Sequence, residues 1–181
     1  MDTTKMQFDE VIALCRDLFQ KKLKDYGPAW RILRPESVTD QILIKVKRVR
    51  SIEIKKENLV GDSIFTEYIG IVNYGAIALI QTELGYTDTI DIDCEKALEL
   101  YDKKIDASRS LMYNKNHDYD EAWRSMRTTS YTDLILMKIH RTKEIESNSG
   151  NTLVSEGVDA NYMDMINYAL FGLIKMNFNL S

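Results

Sequence analysis

The chain has 181 residues, 44% of them hydrophobic and 29% charged, with eight glycines and two prolines. A chain of this size buries roughly 70% of the surface its unfolded form exposes, so the apolar content excludes disorder. The scarcity of Gly and Pro excludes a sandwich or barrel, whose short strands need frequent turns. A net charge of −4 excludes a general electrostatic grip on duplex nucleic acid or anionic lipid, though not a small, highly charged ligand.

Met1 to Lys5 lack the basic segment and apolar run of a secretory signal, so a cytoplasmic protein is expected. Phe8, Val11, Ile12, Cys15, Leu18 and Phe19 share one stripe at helical spacing and predict a first helix over about 5–24. Asp25-Tyr26-Gly27-Pro28-Ala29-Trp30-Arg31-Ile32-Leu33-Arg34 follows, confined by Pro28 and Pro35 to loop or a short turn. A second helix is expected from Ser37, where Ser37-Val38-Thr39-Asp40 fits a capping box. Its apolar arc of Ile42, Val46, Val49 and Ile52 also takes in Lys45 and Glu53, with Arg48 on the edge. The third helix, over about 62–83, is apolar almost all round and so predicted central and buried, yet it carries Asn73. Its apolar run from Tyr68 to Ile80 is too short to span a bilayer.

After a short acidic linker over 85–94 the chain begins again. Asp118-Tyr119, Ala122-Trp123-Arg124 and Arg127 repeat Asp25-Tyr26, Ala29-Trp30-Arg31 and Arg34 at an offset of 93. Ser130, Thr132, Asp133, Ile135, Leu136, Lys138, Arg141, Ile145 and Glu146 continue that register. Past one inserted residue, Tyr162 and Asn167-Tyr168 repeat Tyr68 and Asn73-Tyr74 at an offset of 94. About half the positions between Asp25 and Glu53 are identical to their partners, which marks a tandem duplication. The second copy is expected to place helices over about 95–116, from Ser130, and over 158–177. The resulting fold is all-α: two three-helix units, residues 1–84 and 95–181, packed as one pseudo-symmetric bundle. Cys15 and Cys94 have no metal-ligand spacing and read as reduced thiols, and His117 and His140 have no counterparts between copies.

Charges on core-facing stripes must be paired or bound to something, since burying them bare costs several kcal/mol each. Residues 11 apart on a helix nearly share an azimuth, so Asp62 lines up with Asn73, and Glu156 and Asp164 with Asn167. The first copy has Gly70 in the place of Asp164 and offers Glu67 instead. Facing carboxylates with Lys45 and Arg48, or Lys138 and Arg141, have the composition of a Mg²⁺ and phosphate site. The structural alternatives are buried Lys45–Glu53 and Lys138–Glu146 pairs, amides bonding across the helix packing, and Trp30 and Trp123 as core. Tyr26 with Arg31 and Arg34, and Tyr119 with Arg124 and Arg127, suit base stacking and phosphate contact, or else tie the loops to the helices.

Lys-x-x-Asp-Tyr…Ala-Trp-Arg, then Thr-Asp-x-Ile-Leu-x-Lys-x-x-Arg, then Asn-Tyr in an apolar helix resembles the nucleotide modification associated domain family, twice over. That domain distantly resembles the MazG-like and dimeric dUTPase-like all-α NTP pyrophosphohydrolases, in which carboxylates hold Mg²⁺ and a nucleoside triphosphate is cleaved between its α and β phosphates. The resemblance implies Mg²⁺ or Mn²⁺ as cofactor, held among Asp62, Glu67, Glu146, Glu156 and Asp164, with Glu53, Glu146 and Asp164 in catalytic roles. It implies Lys45, Arg48, Lys138 and Arg141 at phosphates, and Tyr26, Arg31, Arg34, Asn73, Tyr119, Arg124, Arg127 and Asn167 about the rest of a nucleotide. The superfamily's Glu-x-x-Asp is met only at Asp164 in one copy and only at Glu67 in the other, and its Glu-Glu-x-x-Glu is absent. Hydrolysis of modified or ordinary nucleoside triphosphates therefore stands beside a non-catalytic nucleotide-binding module and a helical scaffold. The expected partner is a nucleotide or other phosphorylated small molecule, not duplex nucleic acid or a membrane, with a homodimer as an allowed assembly. If one half alone binds metal, the second is favoured, because it keeps both Asp164 and Glu156.

Overall fold

Helix ends in this chain are set by local chemistry that differs between the copies. The computed structural model describes residues 2–180. Helix α1 (Asp2–Tyr26) stops where Gly27 adopts φ 67°, a left-handed conformation open to glycine. A 3-10 turn (Ala29–Ile32) leads to α2 (Pro35–Lys55), and α3 (Ile64–Leu84) completes the first copy. The second copy follows as α4 (Cys94–Tyr119), a 3-10 turn (Ala122–Ser125), α5 (Thr128–Ser147) and α6 (Val158–Asn177), with no strand among the described residues. Where Gly27-Pro28 end the first helix, Asp120 and Glu121 hold left-handed φ values of 49° and 53°. That conformation costs non-glycine residues roughly 1–2 kcal/mol each.

The capping expected at Ser37 and Ser130 does not occur. α2 starts two residues earlier because Pro35, at its first turn, has a fixed φ and no N–H to satisfy, and Arg34 precedes it in extended conformation without a side-chain cap. Asp40 instead pairs with Lys143 at 2.6 Å and Asp133 with Arg50 at 3.6 Å, each across the interface between copies. Side-chain caps do form at Ser63, which accepts from the Thr66 N–H at 3.1 Å, and at Asp93, which accepts from Lys96 at 2.7 Å.

The two apolar helices α3 and α6 make the most extensive helix–helix contact, flanked by α2 and α5, with α1 and α4 packed on them as well. Their approach is close because it falls on glycines. A Cβ at Gly75 would stand 2.6 Å from Ile166, and one at Gly172 would stand 2.5 Å from the Tyr68 ring. α3 is long and apolar enough to cross a membrane by composition, but 72% of its most apolar window is buried within the bundle.

Contacts between the copies are reciprocal. Arg16 binds Asp102 at 2.8 Å while its counterpart Arg109 binds Asp9 at 2.7 Å. The Asp40–Lys143 and Arg50–Asp133 pairs are related in the same way. This is the self-complementary pattern of a two-fold dimer, here within one chain. Such half-exposed ion pairs contribute about 0–1 kcal/mol each, whereas a fully buried aliphatic side chain such as Val72, Ile166 or Leu170 contributes about 1.5–3 kcal/mol. Packing of α3 on α6 therefore holds the copies together, and the charges fix the register.

Candidate functional site

Glu53 and Glu146 belong to the seam between copies. The Thr132 hydroxyl donates to Glu53 Oε1 at 2.9 Å and lies 2.7 Å from the Tyr68 hydroxyl. In the mirror arrangement Thr39 donates to Glu146 Oε1 at 2.7 Å and lies 2.6 Å from Tyr162, which itself reaches Glu146 at 3.2 Å. Each network takes its threonine from one copy and its Tyr and Glu from the other. Burial pushes both carboxyls above their ordinary range, against the lowering effect of the threonine bonds. The expected Lys45–Glu53 and Lys138–Glu146 pairs do not form, because both lysines turn instead to acids on the central helices.

Those acids differ between copies. In the first, Glu67 is 6% exposed and is bound by Arg48 and by Lys45, the latter at 3.6 Å. Arg48 also reaches Asp62 and Asn58, each at 3.3 Å, so both of its terminal nitrogens are engaged. The Lys45 stem crosses Gly70, where a Cβ would stand 2.7 Å from its Cε. In the second copy Asp164 occupies that place and accepts ion pairs from Lys138 and Lys115, both at 2.7 Å. Burial is the largest single influence on Lys115 and opposes its charge, but the bond to Asp164 and the negative charge around it together raise its pKa. Asn161 stands where the first copy has Glu67, and Arg141, the counterpart of Arg48, is exposed. Among the described residues Arg141 makes no side-chain hydrogen bond or ion pair. It lines a cavity of about 610 Å³ with Lys138, His140, Glu156 and Asn161 beneath the α5–α6 loop. Lys115 escaped the sequence reading because it comes from α4, which no azimuth on α5 or α6 predicts.

Beside each charged cluster, between the first and third helices of its copy, lies a cleft of about 360 Å³. The first is lined by Phe19, Tyr26, Trp30, Leu33, Gly70, Asn73, Tyr74 and Ile77; the second has Met112, Tyr119, Trp123, Met126, Asp164, Asn167, Tyr168 and Phe171 at the equivalent positions. Tyr26 and Tyr119 are 57% and 70% exposed. Asn73 is satisfied, since its amide N–H donates to the Cys15 carbonyl at 3.1 Å and its Oδ1 accepts from Tyr101 at 2.7 Å. Asn167 donates likewise to the Ser108 carbonyl at 2.9 Å, but its Oδ1 is buried without a partner. The cause lies in the sequence: the position equivalent to Tyr101 is Phe8, which has no hydroxyl. The indole N–H groups of Trp30 and Trp123 are also buried and unpaired. Trp123 is not a free stacking platform, because Phe171 stacks on it at 4.6 Å and Arg124 lies 4.3 Å from its ring.

The arginines expected at phosphates divide into two kinds. Arg31 is 1% exposed and committed to Asp91 at 2.8 and 3.1 Å, to Gln81, and to the Gly85 carbonyl at 2.7 Å. It clasps the linker and is not presented to a ligand. Arg124 holds Glu121 at 2.5 Å and Thr4 and Gln7 at 2.7 and 2.8 Å, which ties the 3-10 turn to α1. Arg34 and Arg127 are exposed at the starts of α2 and α5. Sequence reading passed over Gln81 and Lys175, which occupy equivalent buried positions. Gln81 donates to the Trp30, Arg31 and Leu33 carbonyls at 2.6–3.2 Å, and Lys175 to those of Arg124 and Met126 at 3.0 and 2.6 Å. Both satisfy the carbonyls left open by the 3-10 turns.

The acids expected at a metal do not converge. Among the described residues no three His, Cys, Asp or Glu side chains are placed to share an ion. Glu67 and Asp164 are each neutralised by two cations, Asp62 is bonded to Arg48, Glu146 faces Thr39 and Tyr162, and Glu156 is exposed at the cavity rim. These residues do not fit a resident Mg²⁺ or Mn²⁺, which needs several unengaged oxygen ligands around one point.

No curated protein and no solved structure matches the chain. The profile of one family matches residues 22–82 and again residues 115–176. These segments carry both charged clusters, most of both clefts and nearly all of the two central helices, and the chain belongs to the family described as nucleotide modification associated domain 1.

Proposed function

We propose that the second copy binds a nucleotide without hydrolysing it. Its base enters the cleft of Trp123, Asn167 and Tyr168, and its phosphates meet Arg141, Lys138 and Lys115. The observation that carries this reading is Arg141, an arginine without a partner on the wall of a cavity of about 610 Å³. Its first-copy counterpart is held by Glu67 and Asp62. A guanidinium suits phosphate oxygens because its forked donors match their geometry. The Lys138–Asp164–Lys115 bridge joins this cavity to the cleft, so a ligand with a flat end and an anionic end spans both. Asp164 holds the two ammonium groups in place, and each retains donors for phosphate.

With no set of unengaged carboxylates for a divalent ion, the chemistry that such an ion supplies, activation of a water beside a phosphoryl group, has no seat in these residues. The test is calorimetric titration with nucleoside mono-, di- and triphosphates, with and without Mg²⁺, and product analysis of the same mixtures. Saturable binding that leaves the nucleotide intact is expected. Arg141→Ala should weaken it about tenfold to a hundredfold, the worth of one charge-assisted contact. Binding unchanged in that variant contradicts the assignment of Arg141, and release of pyrophosphate by pure protein contradicts the non-hydrolytic reading.

A further inference from the structure

At the mouth of the second cleft a carboxylate is held between two ammonium groups, with Lys115 on one Asp164 oxygen and Lys138 on the other, each at 2.7 Å. The first copy keeps both cations and lacks the acid. Lys22 and Lys45 are the counterparts of Lys115 and Lys138, and Gly70 stands in the place of Asp164. Among the described residues Lys22 has no ion pair, and it is the one charged residue that lines the first cleft. Lys45 meets Glu67 at 3.6 Å, too far for a hydrogen bond. Its stem fills the space over Gly70, where a Cβ would stand 2.7 Å from Cε and 3.0 Å from Nζ. Its ammonium lies 5.7 Å from the centre of the Tyr74 ring, which forms part of the cleft wall. Two cations thus flank a cleft of about 360 Å³ whose other walls include Phe19, Trp30, Leu33 and Ile77. That volume is at the small end of the roughly 300–1,000 Å³ of ligand pockets.

We propose that the first-copy cleft binds a small aromatic carboxylate, whose anion takes the place that the Asp164 carboxylate holds in the second copy. The ring lies among Phe19, Tyr26, Tyr74 and Ile77, and the carboxylate, on the Gly70 side, accepts from Lys22 and Lys45. An ammonium has three donors, so Lys45 keeps Glu67 while it takes the ligand. A neutral ligand leaves Lys22 unmatched. A ligand with a second anionic group finds no further cation on the cleft wall, since Arg48 is bound to Glu67 and Asp62. The second cleft is closed to the same ligand, because Asp164 already occupies the anion position. This assignment stands on the difference between the copies and is independent of the nucleotide reading.

Trp30 and Trp123 are the two tryptophans of the chain, so their indole N–H signals in nitrogen-15 NMR spectra report the two clefts separately, and Trp123→Phe assigns them. Titration with phenylacetate, 3-phenylpropionate and 2-naphthoate should shift the Trp30 signal saturably with at least one of them, without a comparable shift at Trp123. The amide of the same acid should bind at least about tenfold more weakly. Raising the salt concentration from about 0.05 to about 0.5 M should weaken the acid and not the amide. Lys22→Gln, at an exposed position outside the core, should weaken the acid about threefold to tenfold. Gly70→Asp reproduces the arrangement of the second copy and should abolish the shift, with Lys45 turning to the new acid as Lys138 does to Asp164. No saturable Trp30 shift with any of the three acids, in folded parent protein, overturns the proposal. So does an amide that binds as tightly as its acid, or parent-like affinity in Lys22→Gln. If Gly70→Asp does not fold, Lys22→Gln alone decides the assignment.

Discussion

The two copies share a scaffold and differ in what they leave unsatisfied. In the first, Glu67 engages Lys45 and Arg48, and Tyr101 completes Asn73. In the second, Asn161 leaves Arg141 without a partner, Phe8 leaves the Asn167 Oδ1 bare, and Asp164 draws Lys115 and Lys138 to the mouth of the cleft. Three substitutions thus turn a self-satisfied cluster into one with open valences. Stability favours the first condition and ligand binding the second, so duplication allows one half to anchor the fold while the other keeps groups available.

The largest effect expected from disturbing this contrast is at Glu67. Glu67→Asn removes the carboxylate from two cations that are about a quarter exposed, and a loss of roughly 2–4 kcal/mol in urea unfolding is expected, somewhat below the figure for fully buried pairs. Combined with Asp62→Asn, which removes the other carboxylate that Arg48 reaches, the same change leaves Arg48 without an ion pair, so calorimetry should detect an added phosphate site in the first copy. A smaller loss, about 1–3 kcal/mol, is expected for Tyr101→Phe, which leaves Asn73 Oδ1 as bare as Asn167 Oδ1. If thermal melting shows no loss, the bond between Tyr101 and Asn73 does not distinguish the copies.

The seam, by contrast, is symmetric and should respond symmetrically. Thr132→Val and Thr39→Val each remove the hydroxyl that a half-buried carboxylate accepts from, and each should cost about 1–3 kcal/mol at neutral pH. Glu53 and Glu146 have folded pKa values raised above the unfolded ones. Protonation therefore favours the folded state. Their contribution to stability increases as pH falls from neutral through the raised values, and it levels off below the ordinary glutamate range. The valine variants, lacking the bond that lowers each pKa, should show a steeper gain over that interval in melts taken as a function of pH. A flat difference between variant and parent would contradict the network. The smallest effect belongs to the exposed Arg50–Asp133 pair, where Arg50→Ala should change stability by less than about 1 kcal/mol.

Much of the fold was legible because periodicity and repetition are properties of the chain itself. The six helices and the burial of α3 and α6 follow from apolar spacing and from the recurrence of Asp-Tyr…Ala-Trp-Arg. The start of α2 lies before Ser37 because Pro35 outweighs it, a competition that the capping pattern alone does not reveal. The site was less legible. Azimuths on one helix brought Asp164 and Asn167 together correctly, but the partners of each charge lie on other helices. Lys115 comes from α4, Thr132 reaches Glu53 from the opposite copy, and Arg31 is consumed by the linker. Convergence of carboxylates is a three-dimensional property, and the lysines and arginines noted in the same stripe turn out to neutralise those acids.

Asn161 tests the contrast between copies most directly, because it is the residue that separates a quenched arginine from a free one. Asn161→Glu installs the carboxylate that Glu67 supplies in the first copy, within the reach of Arg141 and Lys138. Calorimetric titration of this variant with a nucleoside triphosphate that binds the parent should show binding lost or weakened by at least about tenfold, with the melting temperature unchanged or raised. Parent-like affinity in the folded variant would contradict the assignment of the second copy as the nucleotide-binding half.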